Sequence, residues 1–526
     1  MLLDTEQFKP YPWKDNGYEV IMETEIELKF FVFPEFVDTI IDKISGAKVI
    51  EQSCLNLGNI YFDTPEQHLR KHDTGLRIRR FNDERTQTLK TAGRVVAGLH
   101  QRPEYNAEHD SDTPNVYLHP QDAWPNDIAL DDLQQQLAPL FSTNFVRQQW
   151  LVAMPDGSEI ELAFDQGEVI AGDKTTPICE VELELKSGQT DALFTLARDL
   201  CSSGGMRLGN QSKAAKGYRL AMNAPADKVK NLSLVRTESN DSVETCFINS
   251  LEYALSHWHY HEQIYIDTQD LLALQEIRIA IAFLRQIFLV FGEMVPKRAS
   301  ELLRQELKWL EEQLHWLDES EHLDYLIEEK GNVLRKLDAR KFLVASLRES
   351  AESLPKTDEM MSLLMSSRYC GLLLDLSRWI LTRDWQPFLD DKKRQILQES
   401  IDSHSGTLLD RTWEALDSAF STENQLLPVD YFKQKMRLRR NLMTGTCFAL
   451  IYDNERRKGF RLPWLDLLQG IDDLMSLEPL RTRVQLLNDE EEREQLVRWL
   501  VRQERSILHA MEQTRKAGLE YPPYWQ

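Results

Sequence analysis

The feature that most constrains this chain is an alternation that it repeats. Between residue 23 and about 222, charged side chains stand at every second position with apolar ones between them. Examples are Glu25-Ile26-Glu27-Leu28-Lys29, Leu76-Arg77-Ile78-Arg79 and Glu180-Val181-Glu182-Leu183-Glu184. Successive side chains of an extended strand point to opposite faces, so each stretch makes a strand that is charged on one side and apolar on the other. Taken alone, one such strand reads as a solvated face carrying a salt-bridge ladder. About eight of them with short turns read differently, because eight strands close a small barrel. With helices packed outside, the apolar faces pack outward and the charged faces converge within. An interior holding both signs is a poor core and a good site, because buried charges need partners or ligands.

The residues sort by chemistry. Glu25, Glu27, Glu180 and Glu182 are hard oxygen donors suited to Mg²⁺ or Mn²⁺. Arg77, Arg79, Lys90, Arg102, Arg147 and Lys213 form the cationic set for a polyanion, and Lys29 stands beside the acids where it can hold a phosphate whose charge the metal shares. Around the strands, the spacing predicts helices over 35–44 and 191–203 and one carrying Leu130, Leu133 and Leu137. Pro65 is placed in the first turn of a short helix over 66–71.

The ordered set Glu25-x-Glu27-x-Lys29, Tyr61-Phe-Asp-Thr64, Leu76-Arg-Ile-Arg79, Leu89-Lys90, Arg102-x-Glu104, Arg147, Glu180-x-Glu182, Ser212-Lys213 and Gly217-Tyr218 resembles the CYTH domain of the triphosphate tunnel metalloenzymes. The resemblance implies an α+β fold opening with an eight-stranded antiparallel tunnel barrel that hydrolyses a triphosphate with Mg²⁺ or Mn²⁺. It implies that Glu25, Glu27, Glu180 and Glu182 bind the ions, with Asp165 assisting a second one. It also implies that Lys29, Arg77, Arg79, Lys90, Arg147 and Lys213 hold phosphates. Lys29, Asp165 and Glu104 are the expected catalytic groups, and Arg102 joins the substrate-binding set. Glu161 shares the strand and parity of Asp165, and Glu184 also fits the tunnel face. Arg80, Lys186 and Lys216 are expected to be structural or solvated.

From about Thr237 the apolar period changes to 3.6 and stays so to about Gly518, which predicts a helical bundle with boundaries at Pro296, Pro355, Pro428 and Pro463. Leu284-Arg285 with Val295-Pro296, Tyr369 to Trp379, and Val429 to Asp473 resemble the CHAD domain, which implies polyphosphate as a ligand. Here the expected ladder keeps only Arg278 and Arg285, and from Asn231 onward 38 basic residues face 49 acidic ones. Weak or no polyphosphate binding is therefore expected, with Lys433, Arg437 and Arg440 as the remaining candidate patch. His257 and His261 are four apart, a metal-pair spacing, but no third ligand stands out, and packing is the favoured reading.

The resulting domain scheme is an extension over 1–21 without fixed structure, a CYTH domain over 22–222, a linker over 223–240 and a CHAD-like domain over 241–526. Met22 is the expected functional start. A net charge of −23 argues against nucleic acid and polybasic membrane anchoring. No run of about 18 uncharged apolar residues occurs. The six scattered cysteines predict reduced thiols and a cytoplasmic setting. The expected activity is hydrolysis of inorganic triphosphate. The alternatives are thiamine or nucleoside triphosphate hydrolysis, a class IV adenylyl cyclase, or a protein that only binds phosphorylated ligands.

Overall fold

The computed structural model describes residues 11–15, 18–96, 98–328, 333–423 and 425–526, with side chains from Met22 onward. The chain divides into two compact units, residues 1–227 with 361–382, and residues 228–360 with 383–526.

The first unit is built on strands β1 (Tyr11–Asp15), β2 (Tyr18–Val32), β3 (Val49–Asp63), β4 (Gly75–Phe81), β5 (Glu84–Lys90), β6 (Arg94–Val96), β7 (Leu99–His109), β8 (Ala138–Ala153), β9 (Glu159–Ala171), β10 (Lys174–Ser187) and β11 (Met206–Leu208). Eight of these close on themselves in the order β2-β10-β9-β8-β3-β4-β5-β7, with β7 pairing back to β2. All of these pairings are antiparallel. Closure leaves no exposed edge among the eight. The register fixes which residues share the interior. Glu182 lies opposite both Lys29 and Ala163, Glu184 opposite Glu27, Glu25 opposite Arg102, and Lys90 opposite Glu104.

The outward faces form the core. Leu28, Phe30, Val181 and Leu183 are fully buried on β2 and β10, the strands on which helix α4 packs (its range is Thr190–Leu200). A second cluster joins Phe62, Leu76, Ile78 and Leu89 to Leu69, Trp124 and Leu133 from the flanking segments. A third, on inward-facing positions, joins Tyr61, which lies opposite Arg77, to Phe141, Phe145 and Tyr218. Gly217 lets the helix Lys213–Ala221 approach this cluster, because a Cβ there would sit 2.1 Å from the Phe141 ring.

One helix of this unit comes from far along the chain. Ser367–Leu381 packs on α4, on the turn Cys201–Ser203 and on β11. Arg198 pairs with Asp375 at 3.4 Å and Arg378 Nε donates to Asp191 at 2.5 Å. Arg198 lies against Gly371, where a Cβ would meet its guanidinium at 1.2 Å. The sequence scheme assigned this helix to the domain over 241–526.

Three local expectations meet a different structure. The opening strand starts at Tyr18 rather than Met22, and Tyr11–Asp15 pairs with it, although 1–21 was expected to lack fixed structure. Residues 1–10, 16 and 17 lie outside the described residues. Pro65 sits in a turn, and the helix that follows is only His68–Lys71, because Gln67 takes a left-handed φ of 57° just before it. Pro463 lies inside Asn454–Met475 rather than at a boundary. Phe460, Trp464, Leu467, Ile471 and Leu474 are buried along that helix, and their packing carries it past the hydrogen bond that proline removes.

The second unit is helical, running from Val243–Thr268 through Leu271–Val290 to the long closing helix Glu490–Glu520. Pro428 opens Pro428–Cys447 at its first turn, where a missing N–H costs nothing. Among the described residues no helix is long and apolar enough to cross a membrane, and all six cysteines are free.

Candidate active site

A cavity of about 290 Å³ runs inside the barrel, and charged side chains make up most of its wall. Glu23, Glu25, Glu27 and Lys29 come from β2, Arg77 and Arg79 from β4, and Lys90 from β5. Arg102 and Glu104 come from β7, Arg147 from β8, Glu182, Glu184 and Lys186 from β10, and Lys213 from the helix that Ser212 caps through a bond from the Ala215 amide. Tyr61, Tyr218 and His100 are the rings in this wall.

The charges fall into two groups. On one side Lys213 Nζ reaches Asp165 at 2.7 Å, Glu180 at 2.5 Å and Glu182 at 3.0 Å. Arg147 forks onto Asp165 through Nε and Nη2, both at 2.7 Å, and Nη2 also meets Glu182 at 2.8 Å. Lys29 pairs with Glu182 and lies 3.4 Å from Glu180. Burial opposes ionisation of Glu182, yet Lys213, Lys29 and Arg147 outweigh it and hold its carboxyl well below the usual range. Asp165 and Glu180 are fully buried behind the lining. Oxygens of Asp165, Glu180 and Glu182 lie within 4.8 Å of one another, close enough to share one cation.

On the other side Lys90 pairs with Glu25 at 2.5 Å and Glu104 at 2.7 Å, and Arg77 lies 3.7 Å from Glu104. Burial again opposes ionisation of Glu104, and Lys90 and Arg77 overcome it. Glu27 and Arg79 are among the members that stay under-compensated. Burial, followed by Glu25, pushes the Glu27 carboxyl up to about 8. Burial, followed by repulsion from Arg77 and Arg147, lowers the Arg79 guanidinium to about 10. Its Nε donates to Asn59 at 3.1 Å, a neutral partner. A carboxylate that tends to hold a proton and a guanidinium crowded by guanidiniums are charges left short of partners among the side chains of the interior.

The site residues expected from sequence thus converge on one barrel interior. Arg102 reaches it while pairing with Asp73. Glu25 and Glu27 are not in the close cluster of Asp165, Glu180 and Glu182. Arg80 pairs with Asp112 at 2.6 Å and is absent from the lining, as a structural residue would be. Lys186, expected to be structural or solvated, lines the cavity and meets Glu184 at 2.7 Å. Sequence reading passed over His100, whose parity with Arg102 on β7 was the available signal. Burial, followed by Lys29, lowers its imidazole to about 4, so it is neutral at pH 7.

Comparison with known proteins matches two domains along the chain. A CYTH domain model matches residues 23–218 and a CHAD domain model matches residues 249–476. The chain carries a CYTH domain and a CHAD domain. The CYTH region is 41% identical over 207 residues to an inorganic triphosphatase of Haemophilus influenzae, a match covering 38% of this chain and 56% of that relative. The chain therefore spans little more than half of the relative's length. Among solved structures, a Hippeastrum chain described as an adenylyl cyclase with a dominant triphosphatase activity is 20% identical, with a TM-score of 0.29, covering 37% of this chain and 95% of its own. The CHAD domain of Ricinus communis is 17% identical, with a TM-score of 0.42, covering 57% and 98%.

The CHAD segment shows how a helical domain disposes of its basic residues. Of the candidate patch on Pro428–Cys447, Lys433 pairs with Asp430 at 3.5 Å and Arg440 with Glu311 at 3.2 Å, while the exposed Arg437 donates to the neutral Gln434 at 3.2 Å. The neighbouring Arg439 pairs with Asp472 at 3.6 Å. Lys435 is buried beside Asp472 and Asp318. Arg278 and Arg285, the retained members of the ladder, pair with Asp318 and Glu311. His257 and His261 do gain a third candidate, Glu276, which sequence had not supplied. Yet His261 uses Nδ1 on the His257 carbonyl at 2.8 Å and accepts the Lys230 amide on Nε2 at 3.1 Å, so its ring is a packing element.

Proposed function

We propose that the CYTH tunnel hydrolyses inorganic triphosphate to pyrophosphate and phosphate with Mg²⁺ or Mn²⁺. The observation that carries this reading is the cavity wall, where nine cations and eight carboxylates outnumber the three rings and the few small residues that complete it. That chemistry suits a bare polyanion better than a ligand bearing a base or a thiazole. The activity named for the Haemophilus relative supports the same choice.

Attack on a terminal phosphorus is slow because the nucleophile meets several negative charges. Arg77, Arg79, Lys90 and Arg102 from one side, and Lys29, Arg147 and Lys213 from the other, can hold the chain of phosphates and spread its charge. Pre-arranged donors of this kind need no reorganisation as charge shifts to the leaving group. The donor set fits a hard divalent ion, since Glu27 is buried beside Glu25 and three further carboxylates converge on Lys213. Glu25, Glu27 and Glu182, with Glu180 and Asp165 behind them, would hold it. A bound Mg²⁺ or Mn²⁺ would neutralise phosphate charge and favour ionisation of a water. Glu104, held ionised by Lys90 and Arg77, keeps those two cations aimed inward. The free thiols support a cytoplasmic setting.

Phosphate release from tripolyphosphate, ATP and thiamine triphosphate, each with Mg²⁺, Mn²⁺ or chelator, tests the proposal. Metal-dependent release, fastest from tripolyphosphate, is expected. Preference for ATP or thiamine triphosphate would move the substrate assignment, and no release from any of them would overturn the enzymatic reading.

A further inference from the structure

The first unit carries a second constellation of metal-ligating groups, outside the tunnel. His68 and His72 stand four residues apart, on and just after the short helix His68–Lys71, and Asp127 reaches them from the loop before Leu130–Gln136. His68 Nε2 lies 3.0 Å from Asp127 Oδ1, and His72 Nε2 lies 3.1 Å from Asp127 Oδ2. The two imidazole centroids are 4.9 Å apart, and one donor atom from each of the three residues falls within 4.8 Å of the others. Metal–ligand bonds of about 2.0–2.2 Å in a tetrahedral site place neighbouring donor atoms roughly 3.3–3.6 Å apart. The Nε2–carboxylate separations need to open by only a few tenths of an ångström to admit an ion.

A hydrogen-bonded trio is the plain alternative, and the buried His257/His261/Glu276 group shows what such a trio looks like. There His261 spends both ring nitrogens on backbone groups. Here both Nε2 atoms aim at one carboxylate, and the side chains are open to solvent, His68 by 19%, His72 by 41% and Asp127 by 58%. The ligands are also held in place. Leu69, next to His68, and Trp124 are buried in the same core cluster, against which Ile128 packs beside Asp127. The His68 amide donates to Thr64 Oγ1 at 3.1 Å, and Asp63 accepts the Leu69 and Arg70 amides at 2.9 and 3.0 Å. A donor set fixed by packing from both flanks is what an ion site requires.

We propose that His68, His72 and Asp127 form a surface site for Zn²⁺ or a similar borderline divalent ion, with water completing the coordination. Two imidazoles and one carboxylate select this class of ion, whereas an all-carboxylate tunnel selects Mg²⁺ or Mn²⁺. With neutral imidazoles the three groups carry one negative charge, which a divalent ion more than offsets. The ion ties the 68–72 segment to the 127 loop. Arg70 and Asp73, on or beside that segment, line the tunnel cavity, so the site fastens one part of the tunnel wall.

Co²⁺ titration of the untagged full chain tests this without reference to turnover. Co²⁺ on two imidazoles in a four- or five-coordinate site gives strong visible absorption, and octahedral Co²⁺ on oxygen ligands does not. One equivalent with a strong visible band, displaced by Zn²⁺, is expected. His68→Ala and Asp127→Asn should each weaken it by about 100-fold or more, beyond the 10- to 100-fold typical of losing an outer partner. His72→Gln, at the more exposed histidine, is the check should either variant lose its native circular dichroism. The tunnel variant Glu182→Gln should keep the band. Absence of the band in the parent chain, or its persistence in folded His68→Ala, Asp127→Asn and His72→Gln, would overturn the proposal.

Discussion

The two units bury charge in opposite ways. In the helical unit each buried charge described above meets its counter-charge. Lys435 sits between Asp472 and Asp318, and Arg278 meets Asp318 at 2.6 Å. Burial opposes ionisation of Asp318, but Arg278 and Lys435 lower its carboxyl to about 2. In the barrel the same residue types converge on a cavity, where most pair and some are left short of counter-charge. Glu27 rises to about 8 and Arg79 falls to about 10. Buried charge by itself marks no site. What separates the two is geometry: the barrel gathers its charges around a cavity, whereas the helical unit packs Lys435 and Asp318 against their partners.

Four substitutions press on that contrast. The largest effect is expected from Lys435→Ala, which removes a buried ammonium and its stem and leaves the half-buried Asp472 with only Arg439, at 3.6 Å. It should cost about 3–5 kcal/mol of stability in thermal or urea unfolding and leave triphosphate turnover unchanged. Glu27→Gln should do the reverse. Turnover should fall by about 10²–10³-fold, comparable to removing one pre-arranged charge-stabilising group, with no loss of melting temperature. Loss of stability without loss of turnover there would place Glu27 in a closed network.

The third concerns pH. His119 is buried against Tyr105 and Trp124, and neither ring nitrogen has a hydrogen-bond partner among the described residues. Burial, followed by His109, lowers its imidazole to about 4. Between pH 6.5 and 4 the unfolded chain takes up a proton that the folded chain refuses, so stability is full above 6.5 and falls as pH drops. The loss is on the order of 3 kcal/mol, and unfolding curves of His119→Leu across that range should be flatter by that amount. The smallest effect is Arg77→Ala, expected to raise KM about tenfold, or about 1.4 kcal/mol, with kcat less affected.

Much of the barrel was legible because its strands alternate strictly, and a period of two fixes the face of each residue once the register is set. Glu25, Glu27, Arg77, Arg79, Lys90 and Arg147 reach the interior for that reason. What sequence did not supply was pairing across space. It could not show that Asp165 and Glu180 lie behind Lys213, that Lys186 turns inward to Glu184, or that Asp127 reaches His68 and His72 across 55 residues or more. The helix Ser367–Leu381 was assigned with its sequence neighbours, since an amphipathic period says which face is buried and nothing of the surface it packs on. Pro463 was read as a boundary on local propensity, which the packing of Trp464 and its neighbours overrides.

The most direct test of the contrast is calorimetric titration of tripolyphosphate into the full chain under chelator, where turnover is halted and only the cations act. The account predicts one binding equivalent, weakened at least tenfold by Arg79→Ala and unchanged by Arg440→Ala, whose guanidinium already meets Glu311. Binding that survives Arg79→Ala, or that disappears with Arg440→Ala, would contradict it.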